Sequence, residues 1–310
     1  MDYTKDIVIY IIFFIAFYVT TVALIKFFTN HSKLKNPKPK RFPSVTIAVP
    51  VFNAENTIKK TLDSLLKLKY PKNKLKIVVV NDGSTDNTLK IAKSYESKCV
   101  IVYSKKNTGK SDSLNYAIKR CDTELFTCLD ADCFVFPDAL KQMVGYFENK
   151  KVMGVTGSIK IWKPKKIIEK IQLIEFLSST FIRKVFAFLG GLPLAPGPFT
   201  IYRMSFFKRH GGYDTTTLAE DVEMALRVEN KKYLIENAID VNIYTSAVPK
   251  FKGVLMQRLR WFRGFIDNLV KYKHMFLSKK YGNLGIFVLP SSVLMILVSL
   301  FGVFYALYFL

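Results

Sequence analysis

Two carboxylates, Asp130 and Asp132, stand one residue apart at the end of an apolar run, residues 125–129. Carboxylates held this close repel each other unless a cation lies between them. Oxygen ligands with open coordination positions suit Mg²⁺ or Mn²⁺ that grips a phosphorylated substrate. An isolated pair of this kind is more often a strand end with solvated acids. Whether this pair binds a metal therefore has to be judged from the rest of the chain.

Three other polar clusters follow predicted strands, at residues 50–55, 81–86 and 107–110. Asp82 stands where hydrogen bonds could read a base or a ribose, and Lys110, at a predicted helix start, is well placed for phosphate. Each has an ordinary alternative, a turn-forming aspartate or a solvated loop lysine. The chain has neither GxxxxGK[ST] nor GxGxxG, which disfavours P-loop and dinucleotide-binding sites.

Two later segments carry further candidate groups. Asp221 is a candidate general base for an incoming hydroxyl, although an acid at a helix N-terminus reads equally well. In the segment Gln-Arg-Leu-Arg-Trp, helical spacing places Gln257, Arg260 and Trp261 on one face. They offer an amide, a guanidinium for phosphate and an indole on which a sugar can stack. The alternative is the Arg/Trp belt of an interfacial helix.

The elements that must position these groups alternate between strand and helix. Strands are predicted at 45–49, 76–80, 100–103 and 125–129, with helices at about 53–68, 81–97 and 111–120. Short connections predict an α/β fold with a mostly parallel sheet and helices on both faces. Ligands of such sheets bind at the carboxyl ends of the strands. The four polar clusters should therefore converge on one rim.

Beyond residue 136 the pattern loosens. A strand is predicted near 152–159, and the other elements are helices, at 137–149, 165–188, 220–230 and 251–276. The helix at 165–188 is strongly apolar, yet Lys170, Glu175, Arg183 and Lys184 disfavour a membrane span, so it fits an interfacial helix on a membrane or a buried core helix. The helix at 251–276 is basic, aromatic and amphipathic.

The two ends of the chain differ from its middle. Residues 7–28 and 286–310 are each apolar and long enough to cross a bilayer. Lysines flank both segments on the side of the central domain, which predicts two spans in the cell membrane, a cytoplasmic domain and an outside N-terminus. The domains expected are an anchor and linker at 1–40, a catalytic domain at 41–250, an interfacial region at 251–283 and a transmembrane helix at 284–310.

The chain is strongly basic, with a formal net charge of +23 over 310 residues. Attraction to an anionic inner leaflet explains lysines that crowd the membrane flanks, and no nucleic-acid-binding motif appears. The four cysteines have no metal-finger spacing, and a cytoplasmic domain disfavours disulfides, so they are interpreted as core thiols.

Taken in order, the motifs resemble those of the family 2 inverting glycosyltransferases. Among these they look most like the membrane synthases related to cellulose, chitin, hyaluronan and poly-N-acetylglucosamine synthases. The resemblance covers residues 44–264, and its motifs lie at 50–55, 80–86, 107–110, 130–132, 219–221 and 257–261. It implies a GT-A fold, a nucleotide-diphosphate sugar donor, usually a UDP-sugar, and Mg²⁺ or Mn²⁺.

The resemblance also implies roles by position. Asp221 would be the catalytic base and Asp132 the metal ligand. Residues that would bind the nucleotide-sugar are Pro50, Phe52, Glu55, Asp82, Lys110, Asp130 and Ala131. Residues on the acceptor and diphosphate side would be Thr200, Arg203, Glu220, Gln257, Arg258, Arg260 and Trp261. The chain departs from the family at Ala219, where threonine is usual.

These inferences predict a membrane-bound inverting glycosyltransferase that transfers one sugar to a glycan or lipid-linked acceptor. A processive polysaccharide synthase is the alternative within the same chemistry. Processive members have several C-terminal spans and this chain has one, so a polymer channel would need self-association, an additional membrane subunit or a longer chain. A nucleotide-sugar-binding assembly subunit is the non-enzymatic alternative.

Overall fold

Near-continuous runs of valine, isoleucine and leucine form the central strands, because a strand covered on both faces needs apolar side chains on each. This computed structural model describes the backbone of residues 3–309 and the side chains of residues 9–298 and 301. Within that part, eight strands form one sheet in the order β3-β2-β1-β4-β7-β6-β8-β5. They are β1 Val45–Val51, β2 Leu75–Asp82, β3 Val100–Lys105, β4 Leu125–Cys128, β5 Phe134–Val135, β6 Val152–Ile161, β7 Ile201–Arg203 and β8 Leu234–Thr245.

Helices cover both faces of the sheet. They are α1 Tyr3–Thr29, α2 Ile58–Leu66, α3 Thr88–Lys93, α4 Lys110–Ile118, α5 Ala139–Val144, α6 Ile167–Phe188, α7 Met204–His210, α8 Glu220–Asn230, α9 Phe251–Lys271 and α10 Leu289–Phe309. Alternate residues of β1 enter different cores: Ile47 and Val49 pack with α2 and α5, whereas Ala48 packs with α4, α7 and α8. This is the period-2 pattern of a strand buried on both sides.

The strand directions bring several carboxyl ends to one rim. β1 pairs in parallel with β2 and β4, and β2 pairs in parallel with β3. β7 runs antiparallel to both β4 and β6, so β6 has the direction of β4, and β8 is parallel to β6. The predicted α/β fold with a mostly parallel sheet is thus confirmed, with β5 and β7 as antiparallel insertions.

The sheet also curls. β5 is the edge strand beyond β8, yet only residues 129–133 connect it to β4 near the middle of the sheet. This link contains a tight turn, in which the Cys133 amide donates to the Asp130 carbonyl at 2.9 Å. Only a fully extended link, at about 3.6 Å per residue, could cross a flat sheet of that width, and the tight turn prevents that extension. The far edge therefore bends back toward the end of β4.

The apolar N-terminal segment is helical, as predicted. Among the described residues, only Ile9–Thr29 has both the length and the hydropathy of a membrane-spanning helix. A shorter apolar helical stretch, Leu284–Val298, includes the first half of α10. The second span, expected at 286–310, extends beyond the described side chains and beyond residue 309, so it stays a prediction. α1 packs on α6, where the rings of Phe27 and Phe181 lie 5.0 Å apart.

The helix expected at 165–188 has features of both interpretations. One face of α6 is buried against β6 and β8 and includes Lys184, whose ammonium donates to the Asn237 carbonyl at 2.7 Å. The opposite face exposes Ile167, Ile171 and Ile174 to solvent. α6 is therefore a core helix that also presents an apolar surface.

Candidate active site

The acid pair lies in a turn that α2 holds in place. Thr61 on α2 donates its hydroxyl to the carbonyls of Ala131 at 2.8 Å and Cys133 at 2.7 Å. This side chain is buried, and its two bonds fix the backbone on either side of Asp132. The turn is thus positioned by a rigid helix instead of a mobile loop.

Asp130, Asp132 and Cys133 bring their potential ligand atoms within 4.8 Å of one another. Asp132 is exposed at its surface, but partial desolvation of its carboxyl and the neighbouring Asp130 charge raise its pKa. A cation between the two acids would relieve their repulsion. Burial raises the pKa of the Cys133 thiol well above its usual value, and this thiol donates to Asp132 Oδ1 at 3.3 Å. The oxygen donors of the two aspartates fit a hard divalent cation.

Lys110 joins the acid pair to the start of α8. Its ammonium lies 2.7 Å from Asp130 Oδ1 and 3.1 Å from Glu220 Oε1. Burial disfavours the ammonium, but the charges of Asp130 and Glu220 outweigh it and raise the pKa of Lys110 well above its ordinary value. A permanent cation therefore stands between two acidic groups from different parts of the chain.

Asp221 sits at the N-terminus of α8 with both carboxylate oxygens engaged. Oδ2 accepts from the Gly197 amide at 3.1 Å, and Oδ1 accepts from the Val222 amide at 2.9 Å. Burial raises the pKa of Asp221 to about 6, Glu220 adds to the rise, and Lys110 opposes it. The carboxylate is thus mostly ionised at neutral pH yet more basic than an ordinary aspartate, which suits a general base.

These groups border a cavity of about 290 Å³ between the loop that opens α4, the start of α8 and the middle of α9. Its lining includes Lys110, Glu220, Asp221, Arg260 and Trp261. Another cavity, of about 300 Å³, lies where the end of α1 meets the domain and contains none of these five. The predicted base, phosphate-binding lysine and Arg/Trp pair therefore share one space.

Two residues that the sequence reading missed set the distance between α9 and α8. A β-carbon on Gly264 would lie 2.6 Å from the β-carbon of Ala219, so only glycine permits this approach. Asn268, one turn later and buried, donates to the Ala219 carbonyl at 3.1 Å and to Thr217 Oγ1 at 3.0 Å. The sequence did contain a signal for this close helix contact: a glycine four residues before an asparagine, in a helix of otherwise bulky residues.

Gln257 and Arg258 are not among the residues that line the cavity. The Arg258 guanidinium pairs with both carboxylate oxygens of Glu175 on α6, at 2.7 and 2.6 Å, and also donates to Gln257 Oε1. It lies 4.2 Å from the centre of the Trp261 ring. Arg258 therefore links α9 to α6 through this ion pair and contacts the Trp261 ring, whereas Arg260 and Trp261 line the cavity.

The residues predicted to bind the nucleoside lie at the rim end of β1 and β2. Asp82 is buried and accepts from the amides of Thr108 at 3.0 Å and Gly109 at 2.8 Å, which shapes the loop before Lys110. Glu55 accepts from the Asn87 amide at 3.0 Å. Pro50 belongs to β1, and the Phe52 side chain just beyond it is half exposed.

Two of the predicted acceptor-side residues, Thr200 and Arg203, are not among the residues that line the cavity. Thr200 is buried and bonded to Thr156 Oγ1 at 3.0 Å and to the Pro196 carbonyl. Arg203 stands opposite Leu125, the first residue of β4, and donates to the Val152 carbonyl at 2.8 Å. That is the edge of the sheet opposite the rim. The antiparallel direction of β7, which the sequence did not reveal, places Arg203 there, away from the proposed site. Thr200 comes just before the first residue of β7, at the rim end of that strand, and its acceptor-side role stays a prediction.

Comparison with known proteins gives the family. The model of glycosyl transferase family 2 matches residues 46–211. A poly-beta-1,6-N-acetyl-D-glucosamine synthase of Staphylococcus epidermidis is 30% identical over 248 residues, 78% of this chain and 59% of that protein. The synthase of the same name from Staphylococcus aureus strain MSSA476 is 28% identical over 267 residues, 83% of this chain and 64% of the relative. The chain spans about three-fifths of the length of these curated relatives.

Solved structures give the fold. The mannosyltransferase PcManGT of Pyrobaculum calidifontis, in complex with GDP-Man and Mn²⁺, superposes with a TM-score of 0.68 at 21% identity, covering 85% of this chain and 75% of that one. S. aureus TarS in complex with UDP-GlcNAc gives 0.52 at 21% identity, covering 67% and 59%. These likenesses confirm the expected GT-A-like α/β sheet. Since the family model also covers more than half of its residues, the chain belongs to glycosyl transferase family 2.

Proposed function

We propose that this protein is a membrane-anchored inverting glycosyltransferase that moves a sugar from a nucleotide-diphosphate sugar to a hydroxyl of a glycan or lipid-linked acceptor. The observation that carries the proposal is the shared cavity. It joins a base with a raised pKa, Asp221, to Lys110 and to the Arg260–Trp261 pair. Lys110 in turn contacts the acid pair through Asp130.

The donor would lie across the rim between the nucleoside residues and Asp221. Asp132 would hold a divalent cation, Mg²⁺ or Mn²⁺, and the raised pKa of its carboxyl beside Asp130 supports that role. Such a cation, when bound, offsets the negative charge that builds on a leaving diphosphate. Lys110 and Arg260 supply fixed positive charge to the same leaving group, and Trp261 offers a ring on which a sugar can stack.

The acceptor would enter from the side of Asp221. Its hydroxyl oxygen forms the new bond to the anomeric carbon while the bond from that carbon to the phosphate oxygen breaks. The hydroxyl proton passes to the Asp221 carboxylate, and the electron pair leaves on the nucleoside diphosphate. The amides of Gly197 and Val222 hold the carboxylate in one orientation for that transfer.

The similar proteins favour one donor sugar and one kind of product. The curated relatives are poly-beta-1,6-N-acetyl-D-glucosamine synthases, and TarS was solved with UDP-GlcNAc. Both support UDP-N-acetylglucosamine as donor, and the relatives favour the processive alternative, polymer synthesis, over single addition. The complete set of Asp132, Asp221, Arg260 and Trp261 argues against a non-enzymatic assembly subunit.

The membrane placement is also part of the proposal. We assign residues 1–40 to the anchor, 41–250 to a cytoplasmic catalytic domain, 251–283 to an interfacial region and 284–310 to a second span. The exposed apolar side chains Leu255, Leu259 and Ile266 on α9 support this, since a soluble helix would have polar groups there. A homo-oligomer or another membrane subunit would supply a channel for a polymer.

The function is tested by nucleotide release and product analysis. The full chain in lipid nanodiscs is incubated with UDP-N-acetylglucosamine, UDP-glucose and GDP-mannose, each with Mg²⁺ or Mn²⁺. We expect UDP release from UDP-N-acetylglucosamine above all and a ladder of oligosaccharides by mass spectrometry. A single addition product would favour simple transfer over synthesis. Donor binding with no release from any donor would identify an assembly subunit instead.

The raised pKa of Asp221 predicts the acid side of the rate profile. Because the base must be ionised, kcat/KM should be constant above about pH 7 and fall about tenfold per pH unit below the Asp221 pKa of about 6. The measurement is kcat/KM from pH 5 to pH 8, with donor affinity determined at each pH as the control. A rate that stays flat down to pH 5 would contradict the assignment of Asp221.

A further inference from the structure

Four aromatic side chains form a surface that the proposed chemistry does not use. The aromatic platform consists of Phe134, Phe136, Trp162 and Tyr244. The Tyr244 ring is central, with its centroid 5.4 Å from Phe134, 5.1 Å from Phe136 and 5.0 Å from Trp162. Phe136 is 47% exposed, Trp162 and Tyr244 are partly exposed, and Phe134, which they surround, is buried.

The platform belongs to the same rim as the acid pair. Phe134 on β5 stands opposite Tyr244 near the carboxyl end of β8, and Trp162 directly follows β6. β6 and β8 run in the direction of β4, so their carboxyl ends share its rim. Cys133 connects the two features, because it precedes Phe134 and contacts Asp132. On the sheet, the platform and Asp82 on β2 lie toward opposite edges.

The rings pack on one another and on lysines instead of entering the apolar core. The Lys60 ammonium lies 3.6 Å from the centre of the Phe134 ring and 5.1 Å from that of Trp162, and Lys163 lies 5.2 Å from the Trp162 ring. Within the described side chains, none of the buried apolar clusters includes these rings. Three solvent-accessible rings that pack on a buried fourth and are edged by amines have the composition of a binding surface.

We propose that the aromatic platform binds the acceptor saccharide, holding sugar units beyond the one that reacts. The C–H face of a pyranose packs on the negative face of an aromatic ring, and neighbouring lysines can donate to its hydroxyls. This inference rests on the proposed function, since it assigns a substrate subsite to that site. The acceptor fits this surface better than a membrane does, because Cys133 joins the platform directly to the acid pair on the rim where the donor is expected.

Two substitutions test the platform in the full chain. Phe136→Ala removes an exposed ring with little effect on folding, and Trp162→Ala removes a second. The matched control is Phe251→Ala, an exposed aromatic on α9 that is 73% accessible. We expect each platform variant to raise KM for a β-1,6-linked N-acetylglucosamine pentamer about tenfold, the loss of one or two ring contacts. KM for the donor and for a monosaccharide acceptor should stay the same.

Direct binding separates this inference from the proposed function. Saturation-transfer NMR measures pentamer binding without nucleotide, so it reads the platform even if no sugar is transferred. Loss of binding in both platform variants but not in the control supports the subsite. Unchanged pentamer binding and unchanged acceptor KM in folded Phe136→Ala and Trp162→Ala would overturn it.

Discussion

Replacing Asp221 with asparagine is expected to lower kcat for sugar transfer by about 10²–10⁴-fold while donor affinity stays nearly the same. Asparagine keeps the shape and can accept the bond from the Gly197 amide. It cannot take a proton from the acceptor, so the incoming oxygen would have to attack as a neutral hydroxyl. The donor keeps Lys110, Arg260 and Asp132, which is why binding should persist.

The measurement combines product formation with donor binding by isothermal titration. The matched control is Glu229→Gln on the same helix, because Glu229 is also buried and accepts one amide, that of Leu192 at 2.8 Å. Burial raises the pKa of Glu229 to about 8, so glutamine imitates the protonated form that already prevails at pH 7. Full turnover in Asp221→Asn would assign the base to another residue, whereas equal losses in both variants would indicate a structural effect.

Replacing Asp132 with alanine is expected to lower kcat by about 10²–10³-fold, the scale for losing one group that stabilises transition-state charge. The change removes the ligand that faces Asp130 and leaves the leaving diphosphate with less compensation. It also removes the repulsion between the carboxylates of Asp132 and Asp130, so the protein itself should not be destabilised.

The direct readout is Mn²⁺ affinity, measured by electron paramagnetic resonance with and without UDP. Wild-type protein should bind Mn²⁺ and lose activity on chelation, with recovery on adding Mg²⁺ or Mn²⁺. Asp138→Asn is the matched control, since Asp138 is a half-exposed acid six residues later whose ion pair with Lys69, at 3.3 Å, lies outside the cavity. Unaltered Mn²⁺ binding in Asp132→Ala, together with normal rate, would move the metal site elsewhere.

Much of the site could be read from the sequence because it lies in short segments after apolar runs. Parallel strands with short connections put such segments on one rim, and Lys110, Asp130 and Asp221 meet there. The helix predicted at 220–230 has those bounds in the structure, since acidic residues open it and an apolar period of 3.6 runs through it. The local sequence pattern was sufficient to predict which residues lie together wherever they follow strands that run in the same direction.

The remaining features depended on contacts between distant parts of the chain. β5 and β7 are two and three residues long, too short for any periodicity, yet the antiparallel direction of β7 removes Arg203 from the rim. The close approach of Gly264 to Ala219 sets where Trp261 stands, although neither residue is chemically distinctive.

The sequence by itself determined which groups could do chemistry: an acid pair that could hold a cation, a candidate base at a helix start and an arginine beside a tryptophan. Only the tertiary structure decided which of these share a cavity and what else faces the rim. Asp130 and Asp132 could have been a solvated strand end. Contact with Lys110, and through it with Glu220 at the start of α8, joins them to Asp221. The curl of the sheet then brings β5, and with it the aromatic platform, beside the same acids. The chemical character of each side chain can be read from its own position in the sequence. Which side chains come together depends on the pairing of strands that are distant in the sequence.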